Sequence, residues 1–527
     1  MKMKKTLQIM LIIFAVLTLL VACSDKKSSN QQTMAVNKTG FPIVDEEITI
    51  KMVGQKSPTQ TNWDKMKVLN SYEEKTNIKI QWDTPAGDGY REKLNLMFAS
   101  GEYPEAFFGG GLSRDDEIKY GSQEILVPLE DLIDEYAPNF KKILDDNPDI
   151  RRSITTPDGH IYALPTVIDV PRDLSGPKLW VNKKWIDDLG LEMPKSVDDL
   201  YTILKSFKEN DPNGNGEADE IPIGSSKLED IKYGLMGAFG YLGSNNFNAV
   251  DDKVVYVPST EEYKEFLMYM NKLYEEGLLD KETFTQDAQA VTAKGQEMRL
   301  GLFMDAGAFL KVPVEQSDQY VALPPLTSSV NQELMWPRTS GISSGSFAIT
   351  DKNPHPEATM RWVDYFYSEE GSTFIGVAGG VEGEDWEWID EEKTKWEQIV
   401  PEGRTMAEMG AERTPAAGTF VPHVMRKEWV LKEHSPLNNE IDKEVSEKYE
   451  EYFKIPFPDT YYTNEEIEEV NAIQSDISDY VERMTAKFTV GEVSFDEWDQ
   501  YTKQLNKLKL ERLIEIQQEA YDRWKDS

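Results

Sequence analysis

Strand and helix patterns alternate at the start of the folded chain, and this alternation is the strongest constraint on its fold. In chain order the patterns are strand 48–53, helix 63–72, strand 78–82, helix 90–98 and strand 106–108. Strands that alternate with helices predict a parallel sheet of the α/β class. Gly109–Gly111 follow the third strand directly, where open sheets carry their ligand-binding loops. We therefore expect an α/β fold with a ligand-facing loop at this point.

The same patterns continue to the C-terminus. Helices are predicted at 197–209, 261–276, 356–367, 467–487 and 494–525, and strands at 301–304 and 346–349. No internal repeat with a fixed period is present, so a solenoid is not expected.

The N-terminus has the pattern of a secreted protein. Lys2, Lys4 and Lys5 precede the apolar stretch 9–20, which is shorter than the ~20 residues of a membrane span. The stretch ends in Leu-Val-Ala-Cys23, which resembles the lipobox of bacterial lipoproteins, and Cys23 is the only cysteine of the chain. We predict a signal peptide over 1–22, a lipidated Cys23 with acyl chains such as palmitate, and no disulfide bonds.

Residues 23–45 are interpreted as the lipidated cysteine and a flexible polar tether. No later segment is long and apolar enough to be expected to span a membrane. The formal net charge is −37. A surface this acidic repels phosphates, so nucleic acid is excluded as a partner.

The segment 211–220 predicts a structural calcium site. Oxygen-bearing side chains stand at its first, third, fifth and ninth positions and Gly216 at its sixth, as in the first part of an EF-hand loop. Position twelve is Pro222 rather than glutamate, so Glu220 is the candidate for the missing carboxylate. The alternative is an Asx-rich turn after the preceding helix. The candidate ligands are Asp211, Asn213, Asn215, Glu217, Asp219 and Glu220.

Motifs for catalysis are weak. Ser343 lies in a Gly-x-Ser-x-Gly sequence, but a strand pattern follows it where a hydrolase elbow needs a helix. The four histidines are scattered and have no paired spacing, so no zinc site is expected. Glu382, Glu384 and Asp385 could form a glycosidase pair, although an acidic chain produces such clusters by chance. We expect no catalytic residues.

The aromatic residues favour a carbohydrate ligand. The chain has 12 Trp and 23 Tyr, several of them in loop-like sequence. Sugar rings stack their C–H faces on aromatic rings, and their hydroxyls bind planar polar groups. Most aromatic residues are core residues, so the choice of ligand contacts rests on side-chain chemistry alone. The candidate ligand contacts are Trp63, Trp336, Arg338 and Trp386.

Several motifs together resemble the extracellular solute-binding proteins of oligosaccharide ABC importers, in the branch of LipO-like lipoproteins and alginate-binding proteins. They are the lipobox, the loop 211–220, the sequence Gly-Val-Glu-Gly at 380–383, Thr-Pro-Ala-Ala-Gly at 414–418 and the C-terminal segment 488–508. The resemblance runs from the lipobox to the C-terminus. It implies the same calcium ligands, but it does not align the sugar contacts.

The resemblance implies a two-lobed fold of the periplasmic-binding-protein type II class, with a hinge between the lobes and a helical C-terminal region. We expect the chain to cross between lobes near 162–166 and 321–325. The N-terminal lobe would contain 46–165 and about 325–375, and the C-terminal lobe 166–324 and about 376–527.

The resemblance also implies a function. We expect a non-enzymatic, monomeric protein, anchored by lipid to the outer face of a Gram-positive cell membrane, that delivers an oligosaccharide to ABC permease subunits. The alternatives are a secreted carbohydrate-active enzyme, either a hydrolase or a lyase, and a peptide-binding lipoprotein. Incubation with oligosaccharides separates an enzyme from a binding protein.

Overall fold

The computed structural model describes residues 35–87, 89–376 and 379–527. The predicted signal peptide, Cys23 and the first part of the tether lie outside these residues, so the predictions made for them stay predictions. None of the helices in the described ranges is long and apolar enough to cross a membrane.

The first lobe is built on a six-stranded sheet of order β15-β4-β12-β3-β1-β2. Strands β1, β2 and β3 are parallel, as predicted, and β12 returns antiparallel between β3 and β4. Its strands are β1 Ile48–Val53, β2 Ile78–Asp83, β3 Ala106–Phe108, β4 Leu164–Ile168, β12 Ile342–Ile349 and β15 Val424–Met425.

The second lobe is built on a four-stranded sheet of order β10-β5-β9-β6. Three two-stranded ribbons also occur in the described part of the chain, and they pair β7 with β8, β11 with β16 and β13 with β14. The strands of this sheet are β5 Lys178–Asn182, β6 Ile221–Ile223, β9 Leu300–Asp305 and β10 Tyr320–Ala322. The ribbon strands are β7 Phe247–Val250, β8 Lys253–Tyr256, β11 Trp336–Pro337, β13 Trp386–Trp388, β14 Trp396–Gln398 and β16 Phe453–Lys454.

Helices cover both sheets. Those that pack on the first sheet are Lys67–Thr76, Tyr90–Ser100, Arg114–Ser122, Glu130–Tyr136, Pro138–Asp146, Pro148–Ile154, Pro356–Asp364, Glu369–Ile375 and Met406–Arg413. Those of the second lobe are Lys183–Asp188, Val197–Glu209, Leu228–Leu235, Glu261–Glu275, Ala288–Gln296, Pro436–Lys448, Asn464–Val490, Trp498–Lys507 and Leu510–Asp526. Short helices at Pro171–Leu174 and Lys427–Val430 lie in the connections.

Each lobe has its own hydrophobic core. The first core packs strand residues such as Ile50 and Phe347 against Tyr72 and Trp362 of the covering helices. The second core gathers the helices that cover β5 and β9, including those of the C-terminal region. A chain of this size can bury two such cores without disulfide bonds. The α/β fold with two lobes and a helical C-terminal region is therefore confirmed.

The structure differs from the expected lobe boundaries at four places. Residues 325–337 stay with the second lobe, because Leu326 belongs to its core and β11 pairs with β16, so the second crossing runs over 338–341 rather than 321–325. Strand β4 still pairs in the first sheet to Ile168, so the first crossing runs over 169–177 rather than 162–166. The expected tether already packs on the first lobe from about residue 36, because Ile43 and Val44 are fully buried in its core. Residues 379–425 also lie against the first lobe, since β15 pairs with β4.

The predicted last helix is two helices. The chain breaks between Trp498–Lys507 and Leu510–Asp526, and Lys509 has a φ of 69°. A left-handed residue cannot continue an α-helix, so the chain turns here. The turn lets both helices pack on the second core.

Candidate ligand-binding cleft

The carboxyl edge of the first sheet is turned towards the second lobe. Strand β12 is antiparallel to both β3 and β4, so β4 is parallel to β1 and β3. The chain leaves β4 at Ile168 and enters the second sheet at Lys178. The loops that follow β1, β3 and β4 therefore lie on the side where the lobes meet.

The second sheet presents the matching edge. Strand β5 begins at the junction with Lys178, and β9 is antiparallel to it, so β9 ends at the junction with Asp305. Strand β6 is parallel to β9 and ends on the same side. The carboxyl ends of the two sheets thus face one another across the junction, and open α/β sheets bind ligands at such carboxyl edges.

The loops after β1 and β3 contact the segment 414–420 at this edge of the first sheet. Gln55 follows β1 closely, and its backbone N–H donates to the carbonyl of Gly109 at 3.0 Å. The Thr419 hydroxyl donates to the carbonyl of Gln55 at 2.8 Å. Gly109 has a φ of 60°, and a Cβ there would lie 2.8 Å from the Thr419 methyl group. Only glycine therefore allows this close approach.

Phe420 is the most exposed aromatic side chain among the described residues, at 59%. It follows the Gly418–Thr419 turn and lines a cavity of about 540 Å³. Arg172 and Asp173 of the first crossing line the same cavity, with Arg172 bound to Asp442 at 2.8 Å. An exposed ring at the junction is available to stack on a sugar. The sequence signal for it is an aromatic residue directly after the Thr-Pro-Ala-Ala-Gly motif.

Trp63 lies in the core of the first lobe. Its ring is fully buried, packs edge-on against Trp82 and Phe108, and donates from Nε1 to Gln60 Oε1 at 3.1 Å. A Cβ at Gly54 would overlap the ring. Trp63 therefore supports the loop after β1 from beneath, and its role as a ligand contact stays a prediction.

Trp336 and Arg338 lie at the second lobe. Trp336 is 1% exposed, stacks on Tyr449 at 4.0 Å and donates from Nε1 to the Ser175 carbonyl. Arg338 lines a different cavity, of about 660 Å³, together with Asp459. These two residues are neighbours in sequence, but they do not share the cavity that Phe420 lines.

Trp386 belongs to a cluster of four tryptophans, of which Trp429 also lines the cavity that Phe420 lines. It contacts Trp388, Trp396 and Trp429 at ring distances of 4.7 to 6.2 Å and is 6% exposed. The cluster adjoins a cavity of about 930 Å³. The four predicted sugar contacts therefore do not lie together in one cavity. The structure contains no test of these four predictions, and they stay predictions.

The acidic cluster near residue 384 and the Gly-x-Ser-x-Gly sequence, which were considered as signs of an enzyme, have structural partners. Glu384 forms an ion pair with Lys67 at 2.5 Å. Asp385 accepts a hydrogen bond from the backbone of Val381 at 2.8 Å. Ser343 lies within β12 and pairs with Thr166, so it is not at a strand-to-helix elbow.

The backbone of the predicted calcium loop is hydrogen-bonded to the carboxylate of Asp211. Its carboxylate accepts hydrogen bonds from the backbone N–H groups of Gly214, Asn215 and Gly216 at 2.8 to 3.1 Å. Asp219 Oδ1 receives the side-chain amides of Asn213 and Asn215 at 3.1 and 3.0 Å. The side chains at positions three, five and nine of the motif therefore converge.

Glu220 is the residue of this loop that lacks partners. Both of its carboxylate oxygens are buried without a hydrogen bond of ordinary geometry. Burial raises the pKa of Glu220, although the nearby backbone N–H groups of Glu220 and Asn213 oppose that shift. A cation would satisfy the orphaned carboxylate, so the residues fit calcium. In the described ranges, no group of three or more His, Cys, Asp or Glu is placed so that these side chains alone could hold a metal ion, so amide and backbone oxygens would have to complete the calcium shell.

Comparison with known proteins assigns the chain to a family. The family profile described as bacterial extracellular solute-binding protein matches residues 56–373. The fructooligosaccharide ABC transporter substrate-binding protein FusA of Streptococcus pneumoniae is 32% identical over 99% of each chain. Lipoprotein LipO of Bacillus subtilis is 25% identical over 71% of this chain and 72% of its own.

Solved structures agree with this assignment. FusA of S. pneumoniae in complex with kestose superposes with a TM-score of 0.74 at 30% identity, over 91% of this chain and all of that one. The alginate-binding protein AlgQ2 without calcium ion superposes with a TM-score of 0.69 at 26% identity, over 93% of this chain and all of that one. These relatives are binding proteins, which confirms the prediction of a binding protein rather than an enzyme. The chain belongs to the family of bacterial extracellular solute-binding proteins.

Proposed function

We propose that this protein is the oligosaccharide-binding component of an ABC importer and that its ligand is a fructooligosaccharide. The facing carboxyl edges of the two sheets carry the proposal, because they form a ligand cleft at the lobe junction. FusA, which is related over nearly its whole length, is named for fructooligosaccharides. The exposed ring of Phe420 supplies a stacking surface for a sugar at this junction.

Isothermal titration calorimetry tests this proposal. Fructooligosaccharides of three and four units are titrated into the purified protein, with oligogalacturonate and a tripeptide as comparators. We expect the neutral sugars to bind saturably. Chromatography of the sugars after incubation with the protein should show that they are unchanged. Product formation would favour the carbohydrate-active enzyme instead, and binding of the tripeptide alone would favour the peptide-binding lipoprotein.

We propose further that Cys23 anchors the protein to the outer face of the cell membrane. The sequence Leu-Val-Ala-Cys23 and the relationship to a protein named lipoprotein support this. More than one acyl chain on the cysteine would make the attachment stable. Cys23→Ser should release the protein from the membrane fraction or leave its precursor uncleaved. A wild-type protein recovered in the soluble fraction with an unmodified N-terminus would contradict the anchor.

We also propose a structural calcium ion in the loop 211–220. The converging side chains and the orphaned Glu220 carboxylate support it. The strand β6 follows the loop directly, so the ion would fix the entry to the second sheet without touching the ligand.

A further inference from the structure

A polar cavity of about 470 Å³ lies in the second lobe beside the cleft edge. Pro177, which precedes β5, and Met304, next to the end of β9, both line it. Its other walls come from the helix Leu228–Leu235, the loop 243–247 and the helix Asn464–Val490. Because β5 begins and β9 ends at the lobe junction, this cavity lies at the junction.

Tyr256 lines this cavity with an unsatisfied hydroxyl. The residue is 3% exposed, and its hydroxyl is buried without a hydrogen-bond partner. A buried polar group without a partner lowers stability, so native structures usually provide one. A molecule bound in the cavity would supply that partner.

Lys232 lines the same cavity and has spare hydrogen-bonding capacity. Its ammonium donates to Asn246 Oδ1 at 2.8 Å, and no ion pair joins it to a carboxylate of the described residues. An ammonium group has three donors, so two remain for a ligand. Asn245, Gln474 and Ser478 also line the cavity and can each donate and accept.

The charges around the cavity balance. Lys227 and Lys232 contribute two positive charges, and Glu229 and Asp230 contribute two negative charges. Lys227 and Asp230 also pair with one another at 3.5 Å. A ligand with a carboxylate would therefore meet as many acidic as basic groups, whereas a neutral polyol can use the donors and acceptors without a charge penalty.

We propose that this cavity holds one uncharged sugar ring of the bound oligosaccharide, with Tyr256 and Lys232 hydrogen-bonded to its hydroxyl groups. The inference rests on the proposed function and adds that the second lobe itself selects uncharged sugar rings. It also assigns a subsite to the second lobe, in addition to the stacking surface that Phe420 supplies in the first lobe.

The test compares Tyr256→Phe and Lys232→Met with Tyr263→Phe as the matched control. Tyr263 is buried in the same lobe, but its hydroxyl is bonded to Thr485 at 2.9 Å and it does not line the cavity. Affinity for a neutral fructotrisaccharide is measured by calorimetry and Tm by thermal melting. Loss of one hydrogen bond corresponds to about a fivefold loss of affinity.

The two tyrosine variants should behave in opposite ways. Tyr256→Phe removes an unpaired buried hydroxyl, so we expect weaker binding, by about fivefold, with Tm unchanged or raised. Lys232→Met should also weaken binding. Tyr263→Phe breaks an internal hydrogen bond, so it should lower Tm and leave affinity unchanged.

The outcomes separate the two levels of the proposal. If the wild-type protein binds the trisaccharide and both Tyr256→Phe and Lys232→Met bind it with the same affinity, the subsite is wrong but the proposed function stands. Tighter binding of an oligogalacturonate than of the neutral sugar would overturn the assignment to uncharged rings. A wild-type protein that binds none of these sugars would overturn the proposed function and the subsite with it.

Discussion

At the scale of single residues, Phe420 and Trp63 are both aromatic residues at the first-lobe side of the cleft, but they differ in exposure. Phe420 is 59% exposed, and Trp63 is fully buried. We expect Phe420→Ala to weaken sugar binding about tenfold with little change in Tm, because the ring has few partners in the free protein. Trp63→Ala should instead destabilise the fold by about 3–5 kcal/mol. Calorimetry and chemical denaturation measure both effects.

Leu310 is the control for Phe420, since it is also a large and exposed apolar side chain, at 48%, but does not line that cavity. Leu310→Ala should leave affinity and stability near wild type. Equal affinity of Phe420→Ala and wild type would remove Phe420 from the binding site.

Glu117 is a buried carboxyl group whose titration affects stability. It accepts hydrogen bonds from the hydroxyls of Ser344 and Tyr461, with Arg114 nearby. Burial nevertheless raises the pKa of Glu117 from 4.5 to about 7. The native state therefore binds this proton more tightly than the unfolded state, and the contribution to stability is lost as pH rises through about 7.

The expected consequence is a pH-dependent difference between wild type and Glu117→Gln. Between pH 5.5 and 8, the free energy of unfolding of wild type should fall by about 2 kcal/mol relative to the variant. Urea denaturation at several pH values measures it. A difference between the two proteins that stays constant with pH would show that Glu117 has an ordinary pKa.

At the scale of elements, the loop 211–220 links the helix Val197–Glu209 to strand β6. If it binds calcium only in the native state, removal of the ion should lower stability by about 3 kcal/mol when calcium is at 100 times its Kd. Thermal melting with and without a chelator measures this effect. Asp211→Ala should melt at the same temperature in both conditions.

Glu192→Ala is the control for this loop, since Glu192 is an exposed carboxylate on the same lobe. It should keep the wild-type response to the chelator. Metal analysis that finds no bound ion, together with an unchanged Tm after chelation, would rule out the site. The loop would then be the Asx-rich turn, the alternative interpretation of the sequence.

At the scale of the whole molecule, the two sheets face each other across a junction that the chain crosses by the connections after β4, β11 and β15. Such an arrangement allows the lobes to close by a hinge motion. We expect small-angle scattering to show a smaller radius of gyration when the sugar is bound. If the radius of gyration stays unchanged when calorimetry shows that the protein is saturated with sugar, closure of the lobes is contradicted.

Phe420→Ala provides the control for closure. It should need about ten times more sugar to give the same compaction, because it weakens binding without altering the connections between the lobes. If Phe420→Ala reaches the wild-type radius of gyration at high sugar concentration, the hinge itself is intact.

The sequence alone was enough to predict the features that depend on neighbouring residues. The strands Ile48–Val53 and Ile78–Asp83 follow from their alternating apolar residues, and the structure has them within one residue of the prediction. The helix Val197–Glu209 follows from its apolar spacing. The loop 211–220 was visible because all its candidate ligands lie within ten residues.

Tertiary structure decided everything that depends on distant segments. Sequence could not separate the buried Trp63 from the exposed Phe420, because burial depends on which segments pack over a side chain. The second-lobe cavity brings together Pro177, Lys232 and Gln474, which are far apart along the chain. The assignment of 379–425 to the first lobe likewise depends on contacts between distant segments, such as the pairing of β15 with β4 and the ion pair of Glu384 with Lys67. Local patterns encode strands and helices, but only long-range packing determines which loops meet and therefore where a ligand can bind.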